Sequence, residues 1–213
     1  SNNNDSTADP AALSVISTNP ADSSTAVAIN QKVTATFSES MATASLDTSS
    51  FTVKGANEAA MVGTVALDAA SNTAIFTPNS NLSGNTVYTA TITTAAESTT
   101  GKTMAANHAW SFTSGTTADS TAPTVSSTDP ADTATNFLLN RNVTATFNES
   151  LNPSSVNTSS FTVIETVSTD AVAGTVSYND NGKVATFNPH SNLTADVDYT
   201  ATLTTGVEGC PPL

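Results

Sequence analysis

The stretch Val33-Thr-Ala-Thr-Phe-Ser-Glu-Ser-Met41 returns 110 residues later as Val143-Thr-Ala-Thr-Phe-Asn-Glu-Ser-Leu151. In both, apolar residues stand at i, i+2 and i+4 with threonine between them. A period of two turns alternate side chains to opposite faces of an extended strand, so Val, Ala and Phe are expected to face a core and Thr to face water. A chain that spells one strand twice at this distance points to two copies of one domain.

Working outward, the copies continue to match. Asn19-Pro-Ala-Asp22 pairs with Asp129-Pro-Ala-Asp132, and Ser49-Ser-Phe-Thr-Val53 with Ser159-Ser-Phe-Thr-Val163, at the same offset. After a one-residue insertion the offset is 111: Gly63-Thr-Val65 with Gly174-Thr-Val176, Phe76-Thr-Pro78 with Phe187-Asn-Pro189, and Tyr88-Thr-Ala-Thr-Ile92 with Tyr199-Thr-Ala-Thr-Leu203. Turn-forming stretches such as Asn19-Pro20, Ser83-Gly-Asn85 and Asp180-Asn-Gly182 separate the runs. In the first copy the pattern predicts seven strands, near residues 12–18, 31–38, 50–54, 61–67, 73–77, 86–94 and 107–113. Short strands at this spacing over about 100 residues predict a two-sheet sandwich. Tyr88 and Tyr199 then fall where such a sandwich carries a corner tyrosine.

These blocks, "STNPADSSTAV…VTATFSESM", "SSFTV", "GTV", "IFTPNSNL", "YTATITT" and "AWSFTS", together resemble the bacterial Ig-like domain of S-layer proteins, large adhesins and multidomain secreted enzymes. Ser40 stands where that family often has proline. The resemblance implies an all-β fold: two tandem Ig-like Greek-key β-sandwiches, outside the cell, serving as spacer or binding arm. It implies no catalytic residues. The expected organisation is a flexible polar tether over 1–10, a first domain over 11–117 and a second over 118–213. The second copy lacks a match to Ala109-Trp-Ser-Phe-Thr113, so a sandwich without its last strand is expected there. Such a sandwich exposes a sheet edge, which recruits strands from elsewhere by donation or domain swapping, unless the chain is a fragment whose native continuation supplies the strand.

Composition narrows the function classes. Eighteen acidic residues against five Lys plus Arg give a formal net charge of −13, which disfavours nucleic acid and anionic membrane as partners. No apolar run is long enough for a membrane span, so direct membrane insertion is not expected. The polar lead resembles the segment that follows a removed signal peptide or a lipidated cysteine in bacterial surface proteins. Extracellular or cell-surface placement is therefore expected, with lipid anchoring through a removed segment as one form of it. The single cysteine, Cys210, has no internal disulfide partner.

Candidate chemistry is sparse. Glu39 and Glu149 emerge at strand ends, and Asp22 and Asp132 recur with them in both copies. With Asp119 and Asp129 at the join, these carboxylates are the candidate ligands for calcium, which needs several oxygens. No D-x-D-x-D-G loop supports it, so the alternative is strand-end carboxylates that bind loop N–H groups or water. An intramolecular Lys–Asn bond is not expected, because Lys32 matches Asn142 and Lys183 matches Asn72. His108 and His190 stand in no zinc spacing and are expected at loops or edges. No G-x-S-x-G elbow occurs, and Trp110 with Phe112 is expected to face the core. The expected function is a non-enzymatic spacer beside neighbouring Ig-like repeats or other domains of a larger bacterial protein. The alternatives are an adhesive or carbohydrate-binding module and the accessory domain of a secreted hydrolase.

Overall fold

The computed structural model describes residues 12–180 and 182–209. The expected tether over 1–10 and Cys210 lie outside the described residues. Among the rest, thirteen strands form in chain order, seven in the first repeat and six in the second. In the first these are β1 (Val15–Asn19), β2 (Val33–Phe37), β3 (Phe51–Gly55), β4 (Gly63–Asp68), β5 (Thr73–Pro78), β6 (Val87–Ile92) and β7 (His108–Thr113). In the second they are β8 (Val125–Asp129), β9 (Val143–Phe147), β10 (Phe161–Glu165), β11 (Gly174–Asn179), β12 (Val184–Pro189) and β13 (Tyr199–Leu203).

Each repeat is a sandwich of two antiparallel sheets. The first has a four-stranded sheet ordered β1-β2-β5-β4 and a three-stranded sheet ordered β3-β6-β7. The second repeats the four-stranded sheet as β8-β9-β12-β11, but its other sheet is β10-β13 alone. The alternating residues do as the period of two demands: Val33, Ala35 and Phe37 are buried, as are Ala145 and Phe147. Facing aromatics join the layers, Phe51 to Phe76 at 5.7 Å between ring centroids and Phe161 to Phe187 at 5.9 Å. A glycine opens each fourth strand of the set for a steric reason. A Cβ on Gly63 would lie 2.7 Å from the Phe76 ring, and one on Gly174 would lie 2.6 Å from the Phe187 ring.

One expectation fails in detail. Thr34, expected to face water, is only 3% exposed. It sits on β2, a central strand paired with β1 on one side and β5 on the other, where its cross-strand neighbours are Asn19 and Ile75. In the second repeat the equivalent Thr144 is half-buried.

The corner tyrosines hold as expected. Tyr88 Oη accepts the Ser83 N–H at 2.8 Å, and Tyr199 Oη accepts the Thr194 N–H at 2.8 Å. The same bond does different work in the two settings, for Tyr88 is 1% exposed whereas Tyr199 is partly open to solvent.

Candidate functional site

The expected ligand set can be followed residue by residue, starting from the strand-end glutamates. Glu39 leaves the end of β2 and meets Lys102 Nζ at 2.7 Å. Among the described residues Glu149 forms no ion pair, although the charge of Lys183 is near it, and its environment is different. Glu149 faces Asp119 from the segment joining the domains, and its Oε1 is buried without a hydrogen-bond donor. Burial first, and then the charge of Asp119, push the Glu149 carboxyl above its ordinary value. Asp119 is held low instead, because the Thr121 hydroxyl and N–H donate to its Oδ1 at 2.6 and 2.9 Å. The two facing carboxyls are thus shifted in opposite directions, Glu149 up and Asp119 down.

Asp119 is also anchored toward the first domain. Its N–H donates to Asn30 Oδ1 and its carbonyl accepts from Asn30 Nδ2, each at 2.9 Å. Asn30 is buried, so both halves of its amide are satisfied by the joining segment. A single residue thus meets the first domain through its backbone and the second through its side chain.

The remaining candidates are dispersed. Asp22 Oδ1 accepts the Ser111 N–H of β7 at 2.9 Å, tying the loop after β1 to the closing strand. Asp129 pairs with Arg141 at the surface. Asp132, the copy of Asp22, is exposed and makes no hydrogen bond among the described residues. The structure therefore brings together only Asp119 and Glu149 of the six. Among the described residues no group of three or more His, Cys, Asp and Glu side chains converges. Lys102, a backbone N–H and Arg141 engage Glu39, Asp22 and Asp129 respectively.

One polar cluster escaped the sequence reading. Tyr178 Oη accepts the Leu151 N–H at 2.9 Å and donates to Asp180 Oδ1 at 2.9 Å. Burial dominates at Asp180 and raises its carboxyl above the ordinary range. The signal was a paired change between copies: Tyr178 and Asp180 stand where the first repeat has Leu67 and Ala69. His108 lies on the edge strand β7 with its ring 5.7 Å from Trp110, and His190 is exposed. Trp110 itself is 3% exposed and belongs to the core.

The geometry is a pair of Ig-like sandwiches, and the profile of the bacterial Ig-like domain matches residues 9–114 and again 119–210. The chain belongs to the bacterial Ig-like domain family. No curated protein gives a match. Among solved structures, the N-terminal part of the bacterial S-layer protein SbsC is similar over 91% of this chain and 44% of that one, at 13% identity and a TM-score of 0.41. The copper resistance protein PcoC of Escherichia coli is similar over 47% of this chain and 98% of that one, at 19% identity and a TM-score of 0.38. Escherichia coli alpha-2-macroglobulin is similar over 91% of this chain and 13% of that one, at 12% identity and a TM-score of 0.38. No helix among the described residues is long and apolar enough to cross a membrane.

Proposed function

We propose that these tandem bacterial Ig-like domains form a non-enzymatic spacer in a larger extracellular or cell-surface protein. The observation that carries this reading is the join. Asn30 clamps Asp119 by both backbone groups while the Asp119 carboxyl meets Glu149, so the short connection between two repeats is held from both sides. A binding or catalytic module needs a site, whereas a spacer needs a connection that keeps its angle. Family membership supports the same reading, for Ig-like sandwiches of this kind recur in tandem as structural parts. Nothing favours sugar stacking among the described residues, because Trp110 packs against Phe51 inside the sandwich.

The test is distance. Spin labels on exposed positions of the two domains, such as Val62 and Val167, should give one narrow distance distribution, and Asn30→Ala should broaden it. An equally broad distribution before and after the substitution would remove the spacer reading. So would a ligand whose binding is lost on a loop substitution that leaves both sandwiches folded.

A further inference from the structure

Among the described residues of the first sandwich, one buried side-chain atom has no hydrogen-bond partner. Trp110 is 3% exposed, and its Nε1–H meets no acceptor, which is costly for a donor shut away from water. Its ring faces are in contact already, with the Phe51 ring centroid at 6.0 Å and that of His108 at 5.7 Å. What the indole has to offer is therefore its N–H edge.

Trp110 lines a groove of about 260 Å³ between β1 and β7, the edge strands of the two sheets. Residues 15–18 form one wall and residues 108–110 the other, with Asp22 beside them. Pairing sorts the first wall. Val15 and Thr18 stand opposite Phe37 and Ala35, which are core, so both face inward between the sheets. Ile16 falls where the register shifts between Val15 and Ser17, and it is 64% exposed. On the second wall the main chain is open. Farther along β7 the Ser111 N–H goes to Asp22 Oδ1 and the Ser111 carbonyl accepts the Ser23 N–H. The Thr113 N–H goes to the Ser24 carbonyl, and the Thr113 carbonyl accepts the Val27 N–H. Both residues turn these groups away from β6, and by alternation Ala109 does the same. Among the described residues nothing bonds the Ala109 N–H or carbonyl, and Ala109 lines the groove.

We propose that this groove binds one sugar ring, a neutral pyranose held at its hydroxyls by the Trp110 indole N–H, the Thr18 hydroxyl and the main chain of Ala109. Other ligand classes meet the walls poorly. An unpartnered indole N–H needs an acceptor, which neither a metal cation nor a hydrocarbon supplies. Among the described residues the walls carry one carboxylate, Asp22, and no lysine or arginine, on a chain of net charge −13, so an anion is repelled. An extended peptide pairs through successive residues, and Ser111 and Thr113 have both main-chain groups bonded already, which leaves it Ala109 alone. A hydroxyl accepts and donates, so it suits the Trp110 N–H, the Ala109 carbonyl and the Asp22 oxygen left over from Ser111. The C–H face of a pyranose suits Val15 and Ile16. The groove is smaller than the roughly 300–1,000 Å³ of sites that enclose drug-sized ligands, as one ring requires. None of its residues belongs to the join, so the spacer reading stands whether or not the groove is filled.

The chain has one tryptophan, so a proton–nitrogen correlation spectrum shows one indole N–H signal, and that signal reports on the groove. The isotope-labelled full chain is titrated with glucose, galactose, mannose and N-acetylglucosamine, and with sodium acetate and tri-alanine for comparison. At least one sugar should move the indole and Ala109 signals along a single saturating curve, with a dissociation constant on the order of 1 mM, while acetate and tri-alanine leave both in place. Thr18→Val, which keeps the side chain's shape and removes its hydroxyl, should weaken binding about two- to tenfold, and Thr18→Ser should restore it. A second readout needs no substitution: bound sugar should slow exchange of the indole N–H with deuterium oxide. The proposal is overturned if no sugar gives a saturating shift, if acetate or tri-alanine saturates the same signals, or if Thr18→Val binds as tightly as the parent. Indole exchange that is unchanged at saturation would overturn it as well.

Discussion

The same blueprint is closed in the first domain and open in the second. β6 has a neighbour on each side, whereas β13 has β10 alone among the described residues. Everything that depends on β7 changes with it. Tyr88 is enclosed and Tyr199 is not, Asp22 has a partner and Asp132 has none, and Leu138 is 68% exposed where its copy Ala28 is partly covered. Sequence identity in a strand therefore does not guarantee its environment. Tyr-Thr-Ala-Thr builds an enclosed strand in one copy and an edge in the other.

The comparison can be broken most directly at Trp110. The intact chain should melt in two calorimetric steps, with the fluorescence of its one tryptophan following the upper step. Trp110→Ala should cost the first domain about 3–5 kcal/mol by leaving a cavity among Phe51 and its neighbours, which would bring its transition down to that of the second domain. An upper transition that does not move would show that β7 is dispensable.

A smaller contrast lies in the corner tyrosines. Tyr88→Phe should cost about 1–2 kcal/mol, since it strands the Ser83 N–H beside a buried ring. Tyr199→Phe should cost less than about 0.5 kcal/mol, because water can reach the Thr194 N–H. Equal losses in urea titrations of the two variants would show that the second corner is as enclosed as the first.

Acid should sharpen the contrast through opposite signs. Asp47 is held below its ordinary 3.8 by the Ser49 hydroxyl and by the N–H groups of Ser49 and Ser50. Its contribution to the first domain is present above 3.8 and is lost as the pH falls below it. The second domain has Asn157 at that position, which makes the same turn to the Ser159 N–H without titrating. Of its own shifted groups, Asp180 and Glu149 are raised from 3.8 and 4.5, whereas Asp119 at the join is lowered like Asp47 and makes itself felt only below 3.8. Between those ordinary values and the raised ones the folded state binds more protons than the unfolded state, so the second domain gains stability as the pH falls through that window. Calorimetry from pH 7 to pH 3 should show the lower transition gaining on the upper one, first as the raised carboxyls of the second domain titrate and then, below 3.8, as the Asp47 contribution is lost. Parallel decline of both would count against the assignment of these carboxyls.

The smallest effect is expected at the strand-end glutamates. Lys102→Met should cost the first domain less than about 1 kcal/mol, because the Glu39 pair is a partly exposed ion pair, and salt should shrink the difference further. A loss that is large and insensitive to salt would mean that Lys102 holds more than Glu39.

The fold was legible because alternation and turn chemistry act locally and twice. Each β-strand of the first copy lies within three residues of its expected bounds, and the missing partner of β13 followed from comparing Ala109–Thr113 with the end of the second copy. The acids were less legible. Glu39 and Glu149 each stand between a Phe two residues before and a Ser directly after, yet one meets Lys102 and the other Asp119, partners 63 residues downstream and 30 residues upstream. Local spelling does not encode such distant meetings. The burial of Thr34 was missed for a related reason, since alternation assigns a face but does not say how far neighbouring strands cover it.

The loop that binds β7 has a mechanical consequence. Val27 and Ser114 form a parallel bridge, flanked by the bonds of Val27 and Gly115 N–H to the Thr113 and Val27 carbonyls. Tension applied across the first domain from β1 to the joining segment pulls those two parallel stretches in opposite directions, so their hydrogen bonds must shear together and cannot open one at a time. The second domain has no such clasp among its described residues. Stretched between a tip and a surface, the first domain should therefore give way in one abrupt high-force event, and substituting Val27 by proline, which removes the N–H bonded to Thr113, should lower that force.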